Sequence, residues 1–369
     1  MRVIIAPDSF GGTLSAADAA HAIADGWARQ APTDDLVCCA LSDGGPGFVD
    51  AIAASLGLET VVVSVVGPMG DEVDASYAMD GETAYLEAAQ ACGLHLVPKA
   101  ERNPEHTSSY GLGELMLAAR DAGARDIVIG LGGSGTNDAG AGMLAALGAT
   151  ADGPLDSGGR PLRRLTQVDL RPAREALRGI KLVAASDVDS PLLGVRGATK
   201  GFGPQKGASD EQVALLEGAL QNFAELCGRD VNGKNPALAA GAGAAGGIGF
   251  ALGHLGATRA PGISTVMSIV GLPPMLAAAD LVITGEGRFD WQSLRGKVVS
   301  GVAAMAMDHA LPCVVIAGEV AVGRREYSAI GVAAAYSVSD LAGSVVASMA
   351  DPAGTLADAG ERVARTWSR

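Results

Sequence analysis

Short apolar runs rich in β-branched residues recur along the chain. Each leads into a bend bearing Gly, Asp or Ser and then into a helical pattern of small residues. The runs are RVIIAP (2–7), LVCCAL (36–41), DIVIGL (126–131), KLVAAS (181–186), DLVITG (280–285) and PCVVIA (312–317). Near-continuous apolar strands alternating with helices predict parallel sheets covered on both faces. One stretch departs from this pattern. VDASYAMDGETAYLEA (73–88) holds two alternating runs joined by Asp80-Gly81, a hairpin signal that makes at least one sheet mixed. KNPALAAGAGAAGGIGFAL (234–252) reads as a glycine loop entering a tightly packed helix, and 150–179, rich in Pro, Arg and Asp, as surface connections. No repeat of fixed period interrupts this order.

Composition adds bounds. A chain of 369 residues exceeds one ordinary core and suggests two domains. The 52 glycines and only 4% aromatics fit close-packed helices over parallel strands. A net charge of −14 argues against nucleic acid or an anionic membrane as partner, leaving a small-molecule substrate. The five cysteines (38, 39, 92, 227, 313) lack C-x-x-C spacing and read as free thiols of a reducing compartment. The first residues lack signal-peptide features, and no apolar run approaches the ~18 residues of a spanning helix. The reading is a cytoplasmic protein, monomeric or homodimeric.

The polar residues gather at predicted strand ends. SDGG (42–45), GGSGTND (132–138), SDVDSP (186–191) and GEGRFD (285–290) each follow an apolar run. Ligands of open α/β sheets bind outside the carboxyl ends of strands, so four such ends suggest one crevice. Any single Asp or Ser there is equally suited to capping the next helix.

Gly130, Gly132 and Gly135 satisfy G-x-G-x-x-G, but the context of a dinucleotide site fails. Asp152, at the right distance for the ribose contact, lies in a turn with no strand before it. The same glycine loop suits phosphate, because its amides at a helix start favour an anion and Ser134 and Thr136 add hydroxyls. Asn137 and Asp138 bind there or cap the helix. A Walker A loop, a protein-kinase set, H-E-x-x-H and a G-x-S-x-G elbow are all missing, and the five histidines are scattered as surface or packing residues. What remains favours phosphoryl transfer, which needs cations on the moving group and carboxylates for Mg²⁺ or for the acceptor hydroxyl. Asp43, Asp187 and Asp189 are candidates for metal or base; Lys206, Arg288 and Lys297 are candidates for phosphate neutralisation, each with an ion pair or cap as its alternative role.

IIAPDSF, LSA, DGG, GLGGSGTNDAGAGM, SDVDSPL, GATKGFGPQKGAS, GAGAAGGIG and VITGEGRFDWQSLRGKV occur in this order across nearly the whole chain. Together they resemble the type-1 glycerate kinase family of bacteria. The resemblance implies two α/β domains with mainly parallel sheets, one of them mixed, around a central cleft. It implies a discontinuous domain of residues 1–72 plus 285–369, with 73–284 inserted. It also implies ATP- and Mg²⁺-dependent phosphorylation of D-glycerate, usually at the 2-hydroxyl. On the matched motifs, Asp187, Lys206 and Asp43 are assigned to catalysis and Asp187 and Asp189 to metal. Gly132, Gly133, Ser134, Thr136, Asn137, Asp138, Glu286, Arg288 and Lys297 are assigned to the nucleotide, and Asp8, Ser9, Gly44, Gly45 and Gln205 to the acceptor. The chain departs from the family pattern at Gly11, Pro46, Phe48, Tyr110, Leu112 and Trp291, where a Lys, a Glu and an Arg are lost. Those changes raise two other readings: a kinase of another small hydroxylated compound, its pocket reshaped by Phe48, Tyr110, Leu112 and Trp291, or a non-catalytic nucleotide-binding protein.

Overall fold

A computed structural model describes residues 1–230 and 232–368. Its strands in chain order are β1 Arg2–Ile5, β2 Asp35–Cys38, β3 Thr60–Val66, β4 Glu72–Asp80, β5 Thr83–Glu87 and β6 Asp126–Gly130. There follow β7 Thr150–Ala151, β8 Val168–Asp169, β9 Lys181–Ala185, β10 Thr258–Ala260, β11 Leu281–Phe289, β12 Cys313–Val320 and β13 Val332–Ser337. The chain divides into two compact units. Unit 1 holds residues 1–43, 50–58 and 262–369; unit 2 holds 44–49 and 59–261.

Unit 1 is built on a five-stranded sheet of order β13-β12-β11-β1-β2, parallel at every pairing. Its strands carry the continuous apolar runs, so Val3, Ile5, Ile283, Val314 and Ile316 are fully buried. The helix Ala16–Gln30 starts at Ser15, whose side chain accepts from the Asp18 amide and so satisfies an end donor. It lies against the helix Pro352–Trp367, and a Cβ at Gly26 would stand 1.7 Å from the Ala357 carbonyl oxygen. Only glycine permits that approach.

Unit 2 has a six-stranded sheet of order β10-β9-β6-β5-β4-β3. The pairs β10–β9, β9–β6 and β6–β5 are parallel; β5–β4 and β4–β3 are antiparallel. This is the mixed sheet that Asp80-Gly81 announces: Asp80 pairs with Thr83, and Gly81 takes φ +59° in the turn. The unit boundaries lie elsewhere than 72/73 and 284/285. Strand β3, preceding the hairpin, pairs along its whole length with β4. The helices Gly262–Ile269 and Leu272–Ala277 belong to unit 1. Residues 150–179 are also more than surface connections. They form the β7–β8 hairpin, and Leu155, Leu162, Leu165, Leu170 and Leu177 are buried in the unit 2 core.

Leu112 sits in that same core with no exposed surface. Leu112→Ala is expected to destabilise unit 2 by about 2–5 kcal/mol through lost burial and the cavity left behind. Urea unfolding followed by circular dichroism measures it. A loss below ~1 kcal/mol would show that the site is not packed as described.

The stretch 234–252 fulfils its reading. Gly247, at φ +98°, precedes the helix Ile248–His254, and a Cβ on Gly246 would fall 1.9 Å from the Thr136 carbonyl oxygen. The glycine run thereby seats backbone directly on the 132–138 loop. All five cysteines are free. No helix among the described residues is long and apolar enough to cross a membrane.

Candidate functional site

In unit 2 the parallel register places Glu87 opposite Gly130 and Gly130 opposite Ala185. Strands β5, β6 and β9 therefore end at one edge, and the loops 131–139 and 186–190 leave side by side. The first loop is held tightly. Gly132 donates to the Gly44 carbonyl at 2.8 Å, Leu94 donates to the Gly133 carbonyl at 2.9 Å, and Gly135 donates to Cys92 at 2.8 Å. A Cβ on Gly132 would stand 2.4 Å from the Gly45 Cα, and Gly133 has φ +71°. These constraints explain why glycine fills both positions.

A cavity of about 490 Å³ opens against this loop. Gly132, Gly133, Ser134, Gln205, Lys206, His95 and Arg102 contribute its polar surface. Lys206 is only 3% exposed. Its Nζ donates to Ser134 Oγ at 3.0 Å and to the Thr136 carbonyl at 2.7 Å. Burial pulls its pKa down to about 8, against a partial upward pull from Cys92 and Asp138. The FGPQKGA motif produces this position. Pro204 opens a single 3₁₀ turn, and Gly207, left-handed at φ +96°, ends it just after the lysine.

The remaining loop residues work underneath. Asp138 accepts from the Ser109 amide and hydroxyl at 2.9 and 2.7 Å, and from the Gly140 and Gly142 amides at 3.0 and 3.2 Å. Its carboxylate thus ties two helix starts together. Asn137 Nδ2 donates to Thr199 Oγ1 at 2.9 Å. Thr136, Asn137 and Asp138 have no exposed surface and are absent from the cavity lining, so among the assigned nucleotide residues of this loop the cavity meets Gly132, Gly133 and Ser134. Asp187 and Asp189 are exposed in the loop after β9, with Val188 between them lining the cavity.

Unit 1 carries a different chemistry. Pairing of β1 with β11 sets Ile5 beside Ile283, and the Asp8 amide donates to the Gly285 carbonyl at 2.8 Å. This brings Asp8 and Glu286 to a second cavity, of about 500 Å³, whose polar residues also include Ser9, Arg288, Asp290, Lys297 and Glu319. Gly11 and an apolar wall of Leu14, Val345, Met349 and Leu356 complete it. Burial, reinforced by the Asp43 and Glu286 charges, raises the Asp8 pKa to about 7. Burial likewise raises Glu286 to about 7, against the opposing effects of Ser293 and Lys297. Glu286 is 7% exposed, and its buried Oε1 has no partner. Arg288 is already matched to Glu319 at 3.4 Å and Asp290 at 3.8 Å, which offsets the charge assigned to phosphate.

The assigned residues therefore fall into two sets. Asp8, Ser9, Asp43, Glu286, Arg288 and Lys297 belong to unit 1; Gly44, Gly45, the 132–138 loop, Asp187, Asp189, Gln205 and Lys206 belong to unit 2. The SDGG motif is itself split between Asp43 and Gly44. Among the described residues no group of three or more His, Cys, Asp or Glu is placed to hold a metal ion. Sequence reasoning missed His95 and Arg102, which sit in segments without a motif, and passed over Asp290 although it closes GEGRFD.

Of the departures, Gly11 lines the unit 1 cavity and Pro46 the unit 2 cavity. Phe48 is fully buried and stacks its ring over Gly130, Leu112 is core, and Trp291 is 60% exposed with Arg295 5.7 Å from its ring. Tyr110 begins the helix Tyr110–Asp121. None of these four contributes to the walls of either cavity.

Comparison with known proteins agrees with this architecture. The model of the Glycerate kinase family matches residues 3–368. The chain is 43% identical to the glycerate 2-kinase of Escherichia coli K12 over 87% of its own length and 86% of that protein. It is 41% identical to the glycerate kinase of Bacillus subtilis 168, covering 92% and 90%. The solved structure of a Salmonella typhimurium LT2 chain assigned as glycerate kinase 2 superposes with a TM-score of 0.84 at 39% identity, covering 99% of this chain and 98% of that one. This chain belongs to the glycerate kinase family.

Proposed function

We propose that the protein transfers a phosphoryl group from ATP to D-glycerate, at the 2-hydroxyl, in the cytoplasm. The observation that carries this reading beyond family membership is the buried Lys206 ammonium beside the Gly132–Ser134 loop. There an oxyanion gains a cation, a hydroxyl and a glycine-rich backbone with no side chain in its way. In phosphoryl transfer the protein positions the groups and stabilises charge, and these parts serve that need. The carboxylates of Asp187 and Asp189, exposed in the loop after β9, would hold a Mg²⁺ ion that arrives with the nucleotide, the hard-oxygen donors that ion takes. Bound there it would neutralise phosphate charge.

Two carboxylate sets compete for the proton of the acceptor hydroxyl. Asp187 follows from its motif. The Asp8–Glu286 pair is favoured by a specific observation: both groups titrate near neutrality, where a general base works best. The five free thiols suit a reducing compartment.

An ADP-release assay with ATP and a panel of hydroxy acids and sugars tests the function. Turnover of D-glycerate is expected, with 2-phosphoglycerate identified by phosphorus NMR. ATP binding without turnover of any acceptor would leave a non-catalytic protein instead. Asp187→Asn is expected to lower kcat at least about a hundredfold with the melting temperature unchanged. Turnover within threefold of wild type would remove Asp187 from the base and metal roles.

A further inference from the structure

In a chain of net charge −14, no Asp or Glu lines the unit 2 cavity. Two permanent or near-permanent cations do, Lys206 and Arg102. Lys206 meets only neutral acceptors, Ser134 Oγ and the Thr136 carbonyl. Asp138, beneath the loop, pulls on Lys206 without bonding to it. Arg102 Nε is buried without a partner, and among the described residues no carboxylate forms an ion pair with Arg102. A buried ammonium bonded only to neutral acceptors, and beside it a half-buried guanidinium whose Nε is buried without a partner, are costly unless a ligand supplies counter-charge.

The two cations are also held together. A Cβ on Gly207 would stand 2.5 Å from the Arg102 carbonyl oxygen and 2.8 Å from its Cβ, so the turn presenting Lys206 packs directly on Arg102. Next in the chain, Asn103 Oδ1 accepts from Gln212 Nε2 at 3.1 Å and from the Glu105 amide at 3.1 Å, which fixes the segment from its other side.

We infer that Arg102 is an oxyanion-binding residue which, paired with Lys206, receives a carboxylate or phosphoryl group of the bound substrates. The inference rests on the reading of this cavity as an anion site for phosphoryl transfer and adds the residue that gives it direction. A guanidinium offers a planar fork matched to two oxygens, whereas an ammonium acts as a point charge. The pair therefore fixes orientation as well as charge.

The test compares wild type with Arg102→Gln and Arg102→Lys in steady-state kinetics, together with stabilisation by inorganic phosphate in thermal melts. Arg102→Gln is expected to raise one KM by at least about tenfold while the other stays within twofold and the ligand-free melting temperature holds. A rise for D-glycerate identifies a carboxylate; a rise for ATP identifies a phosphoryl group. Arg102→Lys recovers part of the loss, because charge returns without the fork. Both KM values unchanged in Arg102→Gln would overturn the inference. Should wild type fail to turn over D-glycerate, the proposed reaction falls on its own, and Arg102 is judged by inorganic phosphate. Phosphate stabilisation present in wild type and lost in Arg102→Gln supports it; stabilisation retained in the variant, or missing from wild type, overturns it.

Discussion

Lys206→Met is expected to lower kcat/KM for ATP-dependent phosphorylation of D-glycerate by about 10²–10³, the range for removing one preorganised charge-stabilising donor. The melting temperature should move by no more than about 3 °C. Methionine fills a comparable volume, and losing the donor to Ser134 Oγ and the Thr136 carbonyl is countered by no longer burying a charge at 3% exposure. The two readouts separate the roles: a structural lysine would cost stability, a phosphate-binding lysine costs rate. The wild-type pH profile supplies an independent check. With its pKa pulled down to about 8, free Lys206 is charged below that pH, so kcat/KM is expected to fall as pH rises through about 8. Bound anion favours the charged form and moves the fall in kcat to higher pH. Activity of Lys206→Met within tenfold of wild type would remove this residue from the phosphate site.

Glu286→Gln carries the second large effect, with opposite consequences for stability and rate. Burial raises the Glu286 pKa from 4.5 to about 7. Between those values the folded protein keeps a proton that the unfolded chain has lost, so stability falls as pH rises across that window and the full penalty is present above about 7. At 1.36 kcal/mol per pH unit the penalty is of order 3 kcal/mol. Glutamine removes it, so the variant is expected to melt several degrees higher at pH 8.5, with little change at pH 4.5, in scanning calorimetry. If the Asp8–Glu286 pair accepts the hydroxyl proton, the same substitution abolishes the rise of kcat/KM through about pH 7 and lowers its plateau by 10²–10⁴. That limb reports the coupled pair rather than either residue. A variant no more stable at pH 8.5 than at pH 4.5, relative to wild type, would show that this carboxyl is not strained by burial. Strain of this kind inside a fold is what a functional site is expected to store.

Much of the fold was legible because the signals were local. The six β-branched runs supply β1, β2, β6, β9, β11 and β12, since strands packed under helices are apolar nearly throughout; β2, at the sheet edge, is the half-exposed exception. Asp80-Gly81 announced the antiparallel pair through backbone chemistry that few other residues provide. By contrast β3 and β13, TVVVSVV and VAAAYS, carried similar residues and went unread. Both are edge strands, each paired on one side only with its neighbour in the chain, β3 with β4 and β13 with β12. The leucines of 150–179 were masked by the Pro and Arg among them; only packing against the helix Asp210–Cys227 and its neighbours reveals them as core.

The site divides the same way. Glycines under steric compulsion left a readable trace, so the 132–135 loop could be found from its spacing, whereas the turn carrying Lys206 was legible only through the family resemblance. The sequence by itself settled the family, the alternation of strands and helices, and the glycine bend at 132–135, because each depends on residues adjacent in the chain. Tertiary structure decided that Asp138 and Asn137 brace the loop from below, that Arg288 is already paired, that Leu112 is core, and that Arg102 stands beside Lys206. A side chain's charge state and exposure are set by whichever distant segment folds against it, and that neighbour is not written in the residues on either side.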